Sequence, residues 1–222
     1  MRKFNQFKSI IGYYGDGVKL TYISAAVALL GIHFAFSGSI KLALICLMVS
    51  GLCDGFDGKI ANLKERTDRQ KNYGIQIDAL ADLISFGVLP AVIGYMFLSG
   101  FNSQLFTILS LSVFILYVLA ALIRLAYFNV IEAELLSKNE KRKFFEGLPV
   151  TSAAITIPVI YSVSHMLKLP LHVVYTILIA VLCAMFVLRI KIPKPRSRTQ
   201  IILCLIGVPT IIYIILFGGS QG

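Results

Sequence analysis

Four aspartates set inside apolar sequence constrain this chain more than any other feature. They lie in two stretches, C-D-G-F-D-G-K-I-A-N at 53–62 and G-I-Q-I-D-A-L-A-D-L-I-S-F-G-V-L-P at 74–90, that otherwise read as membrane spans. Placing one Asp at the centre of such a span costs about 2.5–3.5 kcal/mol, so Asp54, Asp57, Asp78 and Asp82 need a compensating partner. On helices, Asp54 and Asp57 stand at i,i+3 with Ala61 extending their stripe, and Asp78 and Asp82 stand at i,i+4. Each pair therefore occupies one helix face. Two carboxylate pairs facing each other repel unless cations lie between them, so the pattern predicts a divalent-metal cage on two antiparallel helices. Oxygen donors at this density, with no His beside them and no Cys at metal-ligand spacing, favour Mg²⁺ or Mn²⁺ over zinc.

Composition places that cage in a membrane. Of 222 residues, 57% are hydrophobic and the mean hydropathy is +0.82, which predicts a single integral membrane domain. Apolar runs at 18–37, 40–62, 74–99, 104–131, 148–167, 171–190 and 200–217 are each long enough to cross, given about 20 residues per ~30 Å of hydrocarbon. The expected fold is an all-α, polytopic helical bundle. Its parts are a juxtamembrane amphipathic segment at 1–17, a membrane domain at 18–190, and a basic connector with an additional C-terminal helix at 191–222. Residues 1–17 interleave Arg2, Lys3 and Lys8 with Phe4, Phe7, Ile10, Ile11, Tyr13 and Tyr14, a pattern suited to the membrane surface. No small-residue cleavage site follows an apolar core there, so no removable signal peptide is expected.

The net charge of +10 would suggest nucleic acid in a soluble protein, but here the cations fall in connectors between apolar runs. Nineteen of the 21 Lys and Arg residues sit on the side of the N-terminus, leaving Lys41 and Lys168 for the other. This bias predicts a cytoplasmic N-terminus in the cell membrane, with both aspartate pairs in the cytoplasmic half. Cys46, Cys53, Cys183 and Cys204 lack disulfide or zinc spacing and read as small packing residues. His33, His165 and His172 fall near the outer ends of spans, remote from the aspartates. The last span, 200–217, contains no ionisable residue.

Paired divalent ions can clamp a diphosphate and offset charge on a leaving phosphate, while a neighbouring carboxylate takes a proton from an attacking hydroxyl. Gly55, Gly58 and Gly74 beside the aspartates allow close approach of a backbone or a bulky nucleotide. The set Asp54, Asp57, Gly58, Ala61, Asn62, Gly74, Asp78 and Asp82 resembles the motif D-x-x-D-G-x-x-A-R followed by G-x-x-x-D-x-x-x-D of the CDP-alcohol phosphotransferases. These are membrane enzymes that move a phosphatidyl group from a CDP-lipid to an alcohol and release CMP. The resemblance implies a six-helix core, to which the seventh span is an addition, and two metal ions held by Asp54, Asp57, Asp78 and Asp82. Asp82 would also act as general base. Nucleotide contacts would come from Asp54, Gly58, Ala61, Asn62, Gly74 and Asp78. The sequence departs from the motif at Asn62, which stands where the family has Arg, and in a longer connector to Gly74. Lys59, Lys64 or Arg66 are substitutes for the missing cation.

The strings A-D-L-I-S-F-G-V-L-P-A at 81–91, R-L-A-Y-F-N-V at 124–130 and F-F-E-G-L-P-V-T-S-A-A at 144–154 resemble the phosphatidylserine synthase branch. That branch implies CDP-diacylglycerol and serine as substrates, with Arg124 and Asn129 as acceptor-binding residues. A serine acceptor needs a cation for its carboxylate and an acceptor for its ammonium. The run Lys141–Lys143 suits anionic lipid head groups. Other small polar alcohols, glycerol 3-phosphate or inositol phosphate among them, remain alternative acceptors, and the family suggests a homodimer. A divalent-cation transporter is a reading from another class, but the outer halves of the two aspartate spans, 40–49 and 88–98, offer it no polar continuation.

Overall fold

The computed structural model describes residues 11–61, 66–99, 101–138, 144–189, 191–193 and 197–217. Most of the amphipathic N-terminal segment, together with Asn62 and Lys64, lies outside them. Seven helical rods are present among the described residues: α1 (Asp16–Phe36), α2 (Ile40–Ala61), a broken rod made of α3 (Asp68–Asp82), a π segment (Leu83–Val88) and α4 (Leu89–Phe97), then α5 (Gln104–Lys138), α6 (Ala153–Met166), α7 (Leu171–Val187) and α8 (Ser197–Phe217). The polytopic helical fold expected from the sequence is therefore present. Among the described residues, Asp16–Phe36, Asp68–Phe97 and Gln104–Leu135 are long and apolar enough to cross a membrane, and Val150–Met166, Leu171–Val187 and the Ile206–Phe217 part of α8 are shorter apolar stretches. Helix α2 has the length but carries Lys41, Asp54 and Asp57.

Helix boundaries depart from the hydropathic spans where polar signals act. The rod containing Asp78 starts at Asp68, because Thr67 and Gln70 form a reciprocal capping box: Gln70 N donates to Thr67 Oγ1 (3.3 Å) and Thr67 N to Gln70 Oε1 (2.9 Å). Helix α5 runs to Lys138, past the end of its apolar stretch. Two short strands, β1 (Phe144–Glu146) and β2 (Lys191–Pro193), pair antiparallel and tie the α5–α6 connector to the segment after α7. Hydropathy could not show this ladder, since its energy lies in backbone pairing.

Helix α1 packs along α2 more extensively than any other pair of elements. Its buried stripe of Gly17, Val18, Thr21, Ser24, Ala28, Gly31 and Ala35 is made of small residues, which let helix backbones come close. A Cβ on Gly31 would stand 2.9 Å from Cys46 Cβ. Farther along, Ser24 and Ser50 exchange hydroxyl-to-carbonyl bonds of 3.1 and 3.0 Å, fixing the antiparallel register. Helix α1 also packs on α3 and α4, so it braces both aspartate-bearing rods.

The broken rod solves a backbone problem next to the aspartates. Pro90 has no N–H, so it cannot supply the usual bond to the Phe86 carbonyl four residues earlier. The buried Tyr117 hydroxyl of α5 donates to that carbonyl instead, and Tyr175 of α7 donates to Pro90 O at 2.7 Å. Beyond this point Phe86, Leu89, Ile93, Phe114, Tyr117, Ile157, Tyr175 and Ile179 make a closely filled core. The chain end of α8 is anchored away from the aspartates: Lys41 Nζ donates to Ile215 O, and His165 Nδ1 lies 3.1 Å from Tyr213 Oη.

Candidate active site

The antiparallel approach of α2 and α3 brings their polar turns to one level. Carboxylate oxygens of Asp54, Asp78 and Asp82 lie within 4.8 Å of one another, all three side chains half-buried. The carboxylate of Asp54 neighbours that of Asp82, and the carboxylate of Asp57 neighbours that of Asp78. Asp57 stands outside the tightest triple, and its Oδ2 accepts a 3.0 Å bond from Thr21 Oγ1 of α1. The expectation of one cage on two helices is thus modified. The carboxylates do converge, but a third helix, α1, supports one of them from behind. A hard divalent cation fits this donor set: the ligands are carboxylate oxygens alone, three of them converge, and their mutual repulsion calls for positive charge at the centre.

Beside the cluster a cavity of about 310 Å³ opens between α3, α5 and the start of α6. Asp78, Asp82, Arg124, Asn129, Glu132 and Thr151 are among its lining residues. Arg124 and Asn129, expected from the sequence to meet an acceptor, therefore share a wall with two of the aspartates. Arg124 is only 6% exposed; its Nη2 donates to Gly147 O at 3.2 Å and its guanidinium carbon sits 4.4 Å from the Phe128 ring centre. Stacking and hydrogen bonding together hold the cation in one place. Asn129 Nδ2 donates to Gln76 Oε1 at 3.3 Å, joining α5 to α3.

Gly147 makes the Arg124 contact possible. It has φ +75°, and a Cβ there would stand 2.9 Å from the Leu188 carbonyl oxygen and 3.3 Å from that of Phe186. Only glycine takes that conformation with backbone on top of it. Leu148 N donates to Met185 O at 3.2 Å, completing the attachment of the E-G-L-P loop to the end of α7.

The other expected site residues fall as follows. Gly74 lies on α3 with Arg66 Nη1 3.6 Å from where its Cβ would be, so a guanidinium stands beside this glycine. Gly58 and Ala61 are on the last turns of α2. Asn62 is outside the described residues. His172 packs against Phe101 and Phe106, with ring centres 4.4 and 5.5 Å away, and His165 faces Tyr213, so these two histidines belong to the opposite end of the bundle. Sequence reasoning passed over Thr21, Gln76 and Glu132. A signal existed for Thr21: it lies near the start of α1 at the level where the antiparallel α2 carries Asp57. Gln76 and Glu132 gave none, because hydropathy does not say which helices are neighbours.

Comparison with known proteins fits this geometry. The family model described as CDP-alcohol phosphatidyltransferase matches residues 18–187. A CDP-diacylglycerol–serine O-phosphatidyltransferase of Saccharomyces cerevisiae is 37% identical over 163 residues, covering 65% of this chain and 56% of that protein. One of the same name from Helicobacter pylori is 33% identical over 138 residues, covering 62% and 53%. An archaetidylserine synthase of Methanothermobacter thermautotrophicus is 34% identical over 142 residues, covering 64% and 55%. The chain spans about half the length of the curated relatives it matches.

Proposed function

The chain belongs to the CDP-alcohol phosphatidyltransferase family, and from that premise we propose that it transfers the phosphatidyl group of CDP-diacylglycerol to the hydroxyl of L-serine, giving phosphatidylserine and CMP. The observation that carries the choice of acceptor is the cavity in which Asp82 and the buried Arg124 share a wall. A small zwitterion entering it meets a fixed guanidinium for its carboxylate, and the oxygens of Asn129 and Glu132 on the same wall suit its ammonium. The names of the relatives from yeast and Helicobacter point to the same acceptor.

In this reading Asp54, Asp57, Asp78 and Asp82 hold two divalent ions, Mg²⁺ or Mn²⁺. When bound, the ions neutralise the diphosphate and the charge that develops on departing CMP. The chain's own residues do the rest. Arg124 orients the acceptor, and Asp82 takes the proton of its hydroxyl as that oxygen bonds to the phosphorus bearing diacylglycerol. The bond from this phosphorus to the bridging oxygen breaks, and CMP leaves with the electron pair. Gly58, Ala61 and Gly74 leave room for the cytidine nucleotide, with Arg66 a replacement for the cation absent at Asn62. Residues 18–190 form the catalytic membrane domain, 1–17 a surface segment and 191–222 a connector with an added helix. The charge bias supports an active site facing the cytoplasm, reached by serine from solution and by lipid from the side.

The test is CMP release by the detergent-purified full chain, supplied with CDP-diacylglycerol and serine, glycerol 3-phosphate or inositol phosphate, with and without Mg²⁺ or Mn²⁺. Serine-dependent release that needs the metal, and that falls about 10²–10⁴-fold in Asp82→Asn, is expected. Faster release with glycerol 3-phosphate than with serine would reassign the acceptor.

A further inference from the structure

Thr21 lies on α1, outside every part of the aspartate motif, yet it donates a hydrogen bond to Asp57. It is 4% exposed, sits in the small-residue seam between α1 and α2, and directs Oγ1 to Asp57 Oδ2 at 3.0 Å. The same hydroxyl lies 3.2 Å from Gly17 O, the ordinary resting place of a threonine hydroxyl in a helix. One proton cannot serve both acceptors at once. A carboxylate is the stronger acceptor, so the Asp57 contact takes the proton when Asp57 is charged. The seam is otherwise closed by contacts that need no acidic partner, including the Ser24–Ser50 exchange and the Gly31–Cys46 approach. Valine has the same shape as threonine and would fill the seam equally well. The hydroxyl at 21 therefore has a use that packing does not supply.

We propose that Thr21 is a positioning residue for the metal site: by donating to Oδ2 of Asp57 it fixes the carboxylate's rotation and so the direction from which that carboxylate meets a divalent cation. This rests on the metal reading above and adds to it a residue from a helix that carries none of the ligands. Partners of this kind orient ligating groups, and their removal typically weakens metal affinity or activity by about 10–100-fold. The consequence is chemical as well as geometric. A freely turning Asp57 could chelate one ion through both oxygens or turn toward Asp78, with which it is already in contact. The bound hydroxyl takes one lone pair of Oδ2 and holds the carboxylate plane, which disfavours both turns.

The experiment titrates Mn²⁺ into the detergent-solubilised full chain and follows loss of the free-ion electron paramagnetic resonance signal, alongside thermal unfolding without metal. Thr21→Val is expected to raise the Mn²⁺ dissociation constant about 10-fold or more, while its metal-free unfolding temperature stays close to wild type. Thr21→Ser keeps the hydroxyl and should bind within a few-fold of wild type; Ser24→Ala, one turn along the same seam, should bind as wild type does. Thr21→Ala, paired with Thr21→Ser, makes the same contrast if the valine variant fails to fold. Wild-type binding with unchanged affinity in folded Thr21→Val overturns the proposal alone. A wild-type chain that takes up no Mn²⁺ overturns it together with the metal reading. Equal weakening in Ser24→Ala and Thr21→Val also overturns it, by showing that the seam as a whole is what matters.

Discussion

The two ends of this bundle are built on opposite principles. At the end where α1 begins and α2 finishes, acidic side chains converge, an arginine is held beside an open cavity, and glycines leave space. At the other end the space is filled: Phe97 stacks near Tyr161 and Tyr175, Phe101 and Phe106 enclose His172, and a Cβ on Gly94 would stand 2.7 Å from Phe114 and 2.8 Å from Tyr175. The first arrangement holds like charges together at the expense of stability. The second stabilises the fold that keeps them there. Function and stability should therefore respond to mutation at different ends.

The sharpest way to break this division is Asp78→Asn. CMP release is expected to fall about 10²–10⁴-fold, comparable with loss of a principal catalytic group, while thermal stability without divalent ions rises because one of several repelling charges is gone. A stability loss there would show that the aspartates also hold the fold. Next in size is Arg124→Met, which keeps much of the packing on Phe128 but removes the charge. The KM for serine should rise about 10–100-fold, in line with the ~1.5–3 kcal/mol of a hydrogen bond to a charged group, with kcat less affected. An equal rise in the KM for CDP-diacylglycerol would move Arg124 from the acceptor to the lipid nucleotide. At the filled end, Gly94→Ala should destabilise by about 1–3 kcal/mol through overpacking, read by thermal unfolding, and leave the KM for serine unchanged. Tyr117→Phe strands the Phe86 carbonyl and should cost about 1–3 kcal/mol, or somewhat less where the π segment relaxes, with metal affinity preserved.

This division also explains how much could be read from the chain alone. The helical rods and the four aspartates were legible, because long apolar runs and charges within them are local signals. Arg124 and Asn129 were singled out through family resemblance for an acceptor, and what the structure adds is their place in one cavity with Asp78 and Asp82. The support of Asp57 by Thr21 was only half legible: the shared level on antiparallel helices was there to read, but the sequence does not say that α1 is the helix packed on α2. The early start of α3 was present in T-D-R-Q at 67–70, but hydropathy favours the apolar part of a rod over its polar cap. The β1–β2 ladder and the left-handed Gly147 depend on segments far apart in sequence. Nothing local to either segment specifies the other.

The borrowed hydroxyl at Phe86 bears on how the chain enters a bilayer. Residues 68–97 are synthesised before Tyr117 exists, so the rod with Pro90 must be inserted while one of its carbonyls has no donor. In hydrocarbon such a group costs several kcal/mol. That rod is then held near water or the insertion machinery until α5 arrives to cover it, which makes the pairing of these two helices an early event in assembly.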